Sequence, residues 1–171
     1  MTDSDFIIRG RAGWHARPPK DTPTRDNWKA GVGVVVHHTA DTYHGKDVSD
    51  EIEHLRAMQY FHQTARGWDD IGYNLIIFPS GRVWAGRGFQ VRGAHVLGHN
   101  TGTCGITFVG TYSKVQPTPA AHAAYKKTLE RMREHGFKVK WVKGHGDLMA
   151  TACPGEGVRR MLNLPHPRRV G

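Results

Sequence analysis

Four residues carry the types and spacing from which metal chemistry could be built: the adjacent pair His37 and His38, then His145 and Cys153. Imidazole and thiolate are the ligand types zinc prefers, and three protein ligands leave a fourth position for water. A water held there loses a proton near neutral pH and can attack a carbonyl. His37 and His38 close a β-branched run, Val32 to Val36, that reads as a buried strand, so their side chains should point to opposite faces. At most one of them reaches a given ion, and periodicity does not say which. His145 and Cys153 lie in Gly-His-Gly-Asp-Leu-Met-Ala-Thr-Ala-Cys-Pro, where Gly144 and Gly146 argue for a loop that folds both ligands inward. Cys153 precedes Pro154 at the start of an expected closing helix, Pro154 to Leu162, whose dipole would favour the thiolate. His38 suits a core position, and Asp147 either orients His145 or makes a turn. Taken singly, a cysteine is most often a small buried hydrophobe and a histidine a surface or core residue.

The elements that must position these residues follow from pattern. Asp47 or Ser49 can cap a helix running to about Thr64, with Ile52, Leu55, Met58 and Phe61 at helical spacing. Tyr73 to Phe78 is an apolar strand, joined through Pro79-Ser80-Gly81 to Arg82–Ala85 as a hairpin. Gly105 to Gly110 reads as another strand. Thr118-Pro119 opens a second helix to about His135, with Ala121, Tyr125, Leu129 and Met132 on one face and Gly136 as its stop. Lys138 to Val142 reads as an edge strand. The order predicts an α/β (mixed α+β) fold: a central mixed sheet flanked by about three helices. Residues 1–31 are expected to wrap irregularly over a single domain at 32–164, and residues 165–171 to form a frayed Pro/Arg-rich tail.

The chain has 171 residues, a net charge of +9 and a mean hydropathy of −0.55, which suits one globular domain and excludes wholesale disorder. Residues 1–86 are near neutral, at −1, whereas residues 87–171 carry +10, so the basicity belongs to the second half. That half predicts attraction to a polyanion: nucleic acid, an anionic membrane or an acidic wall polymer. No apolar run is long enough to span a membrane. The acidic start, Met1-Thr2-Asp3-Ser4-Asp5, lacks an apolar leader, so synthesis in the cytoplasm is expected, with Cys104 and Cys153 as free thiols or ligands.

Six stretches then occur in a familiar order: Val-Val-Val-His-His-Thr-Ala (34–40), Phe-His-Gln-Thr-Ala-Arg-Gly-Trp-Asp-Asp-Ile-Gly-Tyr-Asn (61–74), Gly-Arg-Val-Trp-Ala-Gly-Arg (81–87), Gly-Ala-His-Val-Leu-Gly-His-Asn-Thr-Gly (93–102), Gly-Ile-Thr-Phe-Val-Gly (105–110) and Gly-His-Gly-Asp-Leu-Met-Ala-Thr-Ala-Cys-Pro-Gly (144–155). Through them the chain resembles the peptidoglycan-recognition/amidase-2 family, which includes the phage lysozyme-type amidases. The resemblance covers roughly residues 30 to 162. It implies a zinc-dependent N-acetylmuramoyl-L-alanine amidase with one Zn²⁺ per chain, cleaving the amide between N-acetylmuramic acid and L-alanine of bacterial peptidoglycan. It assigns His37, the first of the pair, with His145 and Cys153 as the ligands, and Tyr73 as a catalytic tyrosine.

Thr151, two residues before the cysteine, stands where phage lysozyme-type amidases carry lysine and many other members carry threonine. It is expected to add a hydrogen bond to the oxyanion, with less charge than a lysine. The resemblance also maps substrate contacts onto His62, Arg66, His95 and Asn100. No glutamate lies in these motifs, so a glutamate base is not evident.

The biological setting expected from this resemblance is a monomeric phage endolysin that reaches the host wall by holin-type release, its basic half holding anionic wall polymers. The alternatives are a non-catalytic peptidoglycan receptor on the same fold and, more remotely, a nucleic-acid-binding protein or nuclease. Basic-helix, zinc-finger and RRM signatures are absent, and the second half has only four acidic residues for a Mg²⁺ site.

Overall fold

Val32 to Val36 is uninterrupted by polar side chains because both faces of that strand are covered, and the computed structural model shows with what. It describes residues 6–166. Along them run strands β1 (Ile8–Arg9), β2 (Val32–His38), β3 (Leu75–Ile77), β4 (Val83–Ala85), β5 (Thr103–Phe108) and β6 (Val139–Gly144), and helices α1 (Val48–Thr64), α2 (Pro119–Glu134) and α3 (Glu156–Leu162). The strands form one sheet in the order β1-β4-β3-β5-β2-β6. The β3–β4 hairpin is antiparallel and every other neighbouring pair is parallel, giving the mixed sheet that the sequence predicts.

Strand alternation divides the core into two layers. Val34 and Val36 of β2, Leu75 and Ile77 of β3, and Cys104, Ile106 and Phe108 of β5 pack against Ala121, Tyr125 and Met132 of α2 and Val158 of α3. On the other face, Ile76 and Trp84 pack with Leu55 of α1, Trp14, Ile71 and Phe78. The helix starts follow from their caps. Asp47 accepts from the Asp50 backbone N–H at 3.0 Å while Asp50 accepts from that of Asp47, and Thr118 accepts from Ala121 at 3.1 Å with Pro119 in the first turn.

Three expectations change. The buried face of α1 is not the apolar stripe alone: Phe61 is half exposed, while Glu51, Gln59, His62 and Gln63 are buried. Each polar group is paired, which removes most of the cost of burying it. Glu51 accepts from Ser80 Oγ, Arg82 Nε and Trp84 Nε1, and Gln59 exchanges hydrogen bonds with the Arg17 backbone and donates to Asp70. The N-terminal segment, expected to be irregular, adds β1 to the sheet beside β4 and buries Trp14 and Trp28 completely. Finally, the closing helix starts at Glu156, two residues later than expected, because Cys153 and Pro154 lie in a turn and Gly155 takes a φ of +87°. Of the expected tail, residues 167–171 lie outside the described residues; the Pro165 carbonyl accepts from Arg159 at 2.6 Å.

Candidate metal centre and cleft

Strands β2 and β6 lie side by side and parallel, with Val36 opposite Gly144. The next residue in each case is a histidine, His37 within β2 and His145 just past the end of β6, so the pairing delivers both together at the carboxyl ends, where open α/β sheets collect their sites. His145 opens a 3-10 turn, His145–Asp147. That turn is tied to the following loop by a 2.8 Å hydrogen bond from the Gly146 N–H to the Cys153 carbonyl, which brings the cysteine back over the strands. Asp147 resolves as a turn residue. One of its carboxylate oxygens accepts from the Gly144 N–H at 2.7 Å, and the other pairs with buried Arg159 at 2.9 Å.

One ligand atom each from His37, His145 and Cys153 lies within 4.8 Å of the other two. Cys153 Sγ is 3.7 Å from His37 Nδ1, and the His37 and His145 ring centroids are 4.6 Å apart. His145 Nε2 is buried without a hydrogen-bond partner. An orphaned imidazole nitrogen among a second imidazole and a thiol fits a metal ion, which would satisfy it. His38, on the opposite face, accepts from the Tyr112 N–H at 3.1 Å and packs as a core residue.

Electrostatics prepare the two imidazoles and not the thiol. Burial, reinforced by the neighbouring His95, His145 and His38, lowers the pKa of His37; burial alone lowers that of His145. Both stay neutral at pH 7, as a ligand imidazole must. Burial pushes the Cys153 thiol up to about 11, against the lowering effects of the His38 carbonyl contact and the Arg159 charge. The expected help from a helix dipole is absent because α3 begins three residues beyond the cysteine.

The centre opens into a cleft of about 500 Å³ that His37 and His145 share with Tyr73 and all four residues expected to contact substrate. The Tyr73 ring lies 5.3 Å from that of His37, and burial, then the Cys153 charge, raises its phenol, so it remains a hydrogen-bond donor. His62 accepts from the Gly72 N–H at 3.0 Å, and burial ahead of the Arg66 and Arg87 charges takes its pKa to about 4. Arg66 is exposed and lies over the Phe61 and Trp68 rings.

The other positions differ from expectation in detail. His95 lines the cleft, but both its ring nitrogens are engaged inside the protein, Nδ1 with His37 Nε2 at 3.0 Å and Nε2 with Thr103 Oγ1 at 3.3 Å. Asn100 spends its carbonyl oxygen on the His95 and Val96 N–H groups. Thr151 is exposed and not among the cleft-lining residues; its Oγ1 accepts from the Cys153 N–H at 3.2 Å, beside the ligand loop. Sequence reasoning missed the apolar rim of Phe61, Trp68, Leu97 and Met149. Helical spacing places Phe61 with the core residues of α1, whereas it is half exposed; the signal for Leu97, 84% exposed, is an apolar residue inside a glycine-flanked loop.

Comparison with known proteins agrees with this geometry. The sequence model for the family described as N-acetylmuramoyl-L-alanine amidase matches residues 27–156. The human protein named N-acetylmuramoyl-L-alanine amidase is 34% identical over 93% of the chain, which spans only 28% of that relative's length. Peptidoglycan-recognition protein SC2 of Drosophila simulans is 36% identical over 73% of the chain and 68% of its own. Among solved structures, peptidoglycan recognition protein-LE in complex with tracheal cytotoxin, a monomeric diaminopimelic acid-type peptidoglycan, superposes with a TM-score of 0.85 at 32% identity, covering 95% of this chain and 96% of that one.

Proposed function

The chain belongs to the N-acetylmuramoyl-L-alanine amidase (amidase-2) family, and from that premise we propose that it is a zinc-dependent amidase of bacterial peptidoglycan. The observation that carries the proposal is the convergence of His37, His145 and Cys153, with His145 Nε2 buried and unpartnered. His37, His145 and Cys153 would hold the ion, one per chain. Bound zinc polarises a carbonyl and acidifies water, the two requirements of amide hydrolysis.

The chain's own residues supply the rest. Tyr73, held protonated beside His37, donates a hydrogen bond to the scissile carbonyl oxygen as it gains charge. Arg66 presents a guanidinium to the carboxylates of a stem peptide, and Phe61, Trp68, Leu97 and Met149 give apolar surface to sugar rings and alanine methyls. Thr151 is exposed and outside the cleft lining, so among the catalytic candidates Tyr73 is the side chain placed to donate to the oxyanion.

Mass spectrometry of purified peptidoglycan after incubation tests the reaction. The expected products are stem peptides with a free L-alanine amino terminus and intact glycan, formed without chelator and suppressed by it. Unchanged peptidoglycan overturns it and leaves the second reading, a receptor that binds wall fragments without cutting them. That reading is favoured by the likeness to the recognition protein solved with tracheal cytotoxin.

The setting proposed is a phage endolysin that cuts the host wall after holin-type release, with exposed basic residues such as Lys140 and Lys143 on β6 holding anionic wall polymers. Expression inside bacteria should cause lysis with a co-expressed holin and none without it. Wall retention should fall between low and high salt.

A further inference from the structure

We propose that His95 is a positioning residue, which with Thr103 fixes the His37 ring so that Nδ1 offers its lone pair toward Cys153 and His145. The inference deepens the metal-centre reading and rests on it. A hydrogen-bonded chain runs from the His99 and Asn100 carbonyls, which can only accept, to the ligand cluster. Thr103 Oγ1 lies 2.7 Å from the His99 carbonyl and 3.1 Å from that of Asn100, so its hydroxyl proton points there. The same oxygen, 3.3 Å from His95 Nε2, is left to accept, which places the His95 proton on Nε2. A neutral imidazole carries one N–H, so His95 Nδ1 is an acceptor. It faces His37 Nε2 at 3.0 Å, which must therefore hold the His37 proton. His37 Nδ1, 3.7 Å from Cys153 Sγ, is left with its lone pair directed to the ligand cluster.

The surroundings hold this arrangement. His95 and Thr103 are both buried. The imidazole fills space left by two glycines: a Cβ at either Gly93 or Gly105 would come within 2.5 Å of the His95 ring. Asn100 pins the backbone of His95 and Val96, and Asp26 accepts from the Gly102 N–H at 3.0 Å, so the loop cannot carry the ring away without breaking these bonds. With both nitrogens engaged, His95 has none left for a substrate. Ligand histidines typically have their second nitrogen oriented in this way, and losing the partner costs roughly 10–100-fold in metal affinity.

The test compares wild type, His95→Phe, His95→Asn and Thr103→Val. Zinc affinity is measured by chelator competition, and histidine protonation by nitrogen-correlated NMR of the zinc-free protein. Expected in the wild type is a proton on Nε2 of both His37 and His95. His95→Phe should weaken zinc roughly 10–100-fold. His95→Asn, whose amide oxygen can stand where Nδ1 stood, should recover most of that loss. Thr103→Val, close in shape, should weaken zinc less than His95→Phe and release His95 from its single protonation form. If His95→Phe does not fold, Thr103→Val decides. A proton on His37 Nδ1 in the wild type, or wild-type zinc affinity in every folded variant, overturns the proposal. A wild type that binds no zinc overturns the metal reading instead, while the zinc-free NMR still judges the hydrogen-bonded chain.

Discussion

Cys153 Sγ lies 3.7 Å from His37 Nδ1 although 116 positions separate them in sequence. Nothing local holds that distance: it is set by the pairing of β2 with β6 and by the return of the 145–153 loop. Replacing Cys153 by Ser keeps the shape and removes the soft ligand. Zinc measured on the purified variant should fall well below one per chain. Its affinity should drop by more than the roughly 10–100-fold typical of losing an outer hydrogen-bond partner, with amidase activity lost in parallel. Full activity in a zinc-free variant would sink the assignment.

Zinc binding at pH 7 should release one proton from the three ligands. His37 and His145 are already neutral, whereas the Cys153 thiol, near 11, is protonated and must give up its proton to coordinate. Apparent affinity should therefore rise about tenfold per pH unit above neutrality until the thiol itself titrates. Calorimetry in buffers of different ionisation enthalpy counts the proton, and a count of zero contradicts the thiol's assignment as a ligand.

Tyr73→Phe removes the phenol and little else from the cleft. Zinc affinity and KM should stay near wild type, while kcat falls about 10²–10³-fold, the usual cost of one oxyanion donor. A variant that loses substrate affinity and keeps kcat would make Tyr73 a binding residue.

His62 should make the fold acid-sensitive. Burial holds its folded pKa near 4, below the ordinary 6.5, so between those values the unfolded chain binds more protons than the folded one. Its contribution is present in full above about pH 6.5 and is lost as the pH falls toward 4, up to about 3 kcal/mol for this shift. His62→Asn retains an acceptor for the Gly72 N–H and does not titrate. Denaturation midpoints of the zinc-free proteins at pH 7 and 4.5 should differ less for the variant than for wild type.

The parts legible in the sequence were those in which one residue type carries one physical signal. The β-branched run of β2, the Thr118-Pro119 start of α2 and the turn before β4 follow from local rules, and residue type and motif order single out His37, His145 and Cys153, which the fold brings within 4.8 Å of one another. What spacing could not reveal was burial justified by a distant partner. Glu51 and Gln59 carry no local signal of burial because their partners, Arg82, Trp84 and Arg17, lie far along the chain. The hydrogen bonds of His95 to His37 and Thr103 are likewise invisible to spacing, because only the fold brings the three together.

The stretch shared with the family, residues 27–156, is not the unit that must be kept to make a shorter folded protein. Trimming to it would remove β1, the fully buried Trp14, and Arg11, whose guanidinium pairs with buried Asp70 at 2.9 Å. At the other end it would cut α3 at its first residue, taking Val158 from the core and Arg159 from Asp147, which closes the His145 turn. An engineer fusing this domain to another module should therefore join beyond Leu162 and upstream of Phe6, since both ends of the chain brace the sheet that brings His37 and His145 together.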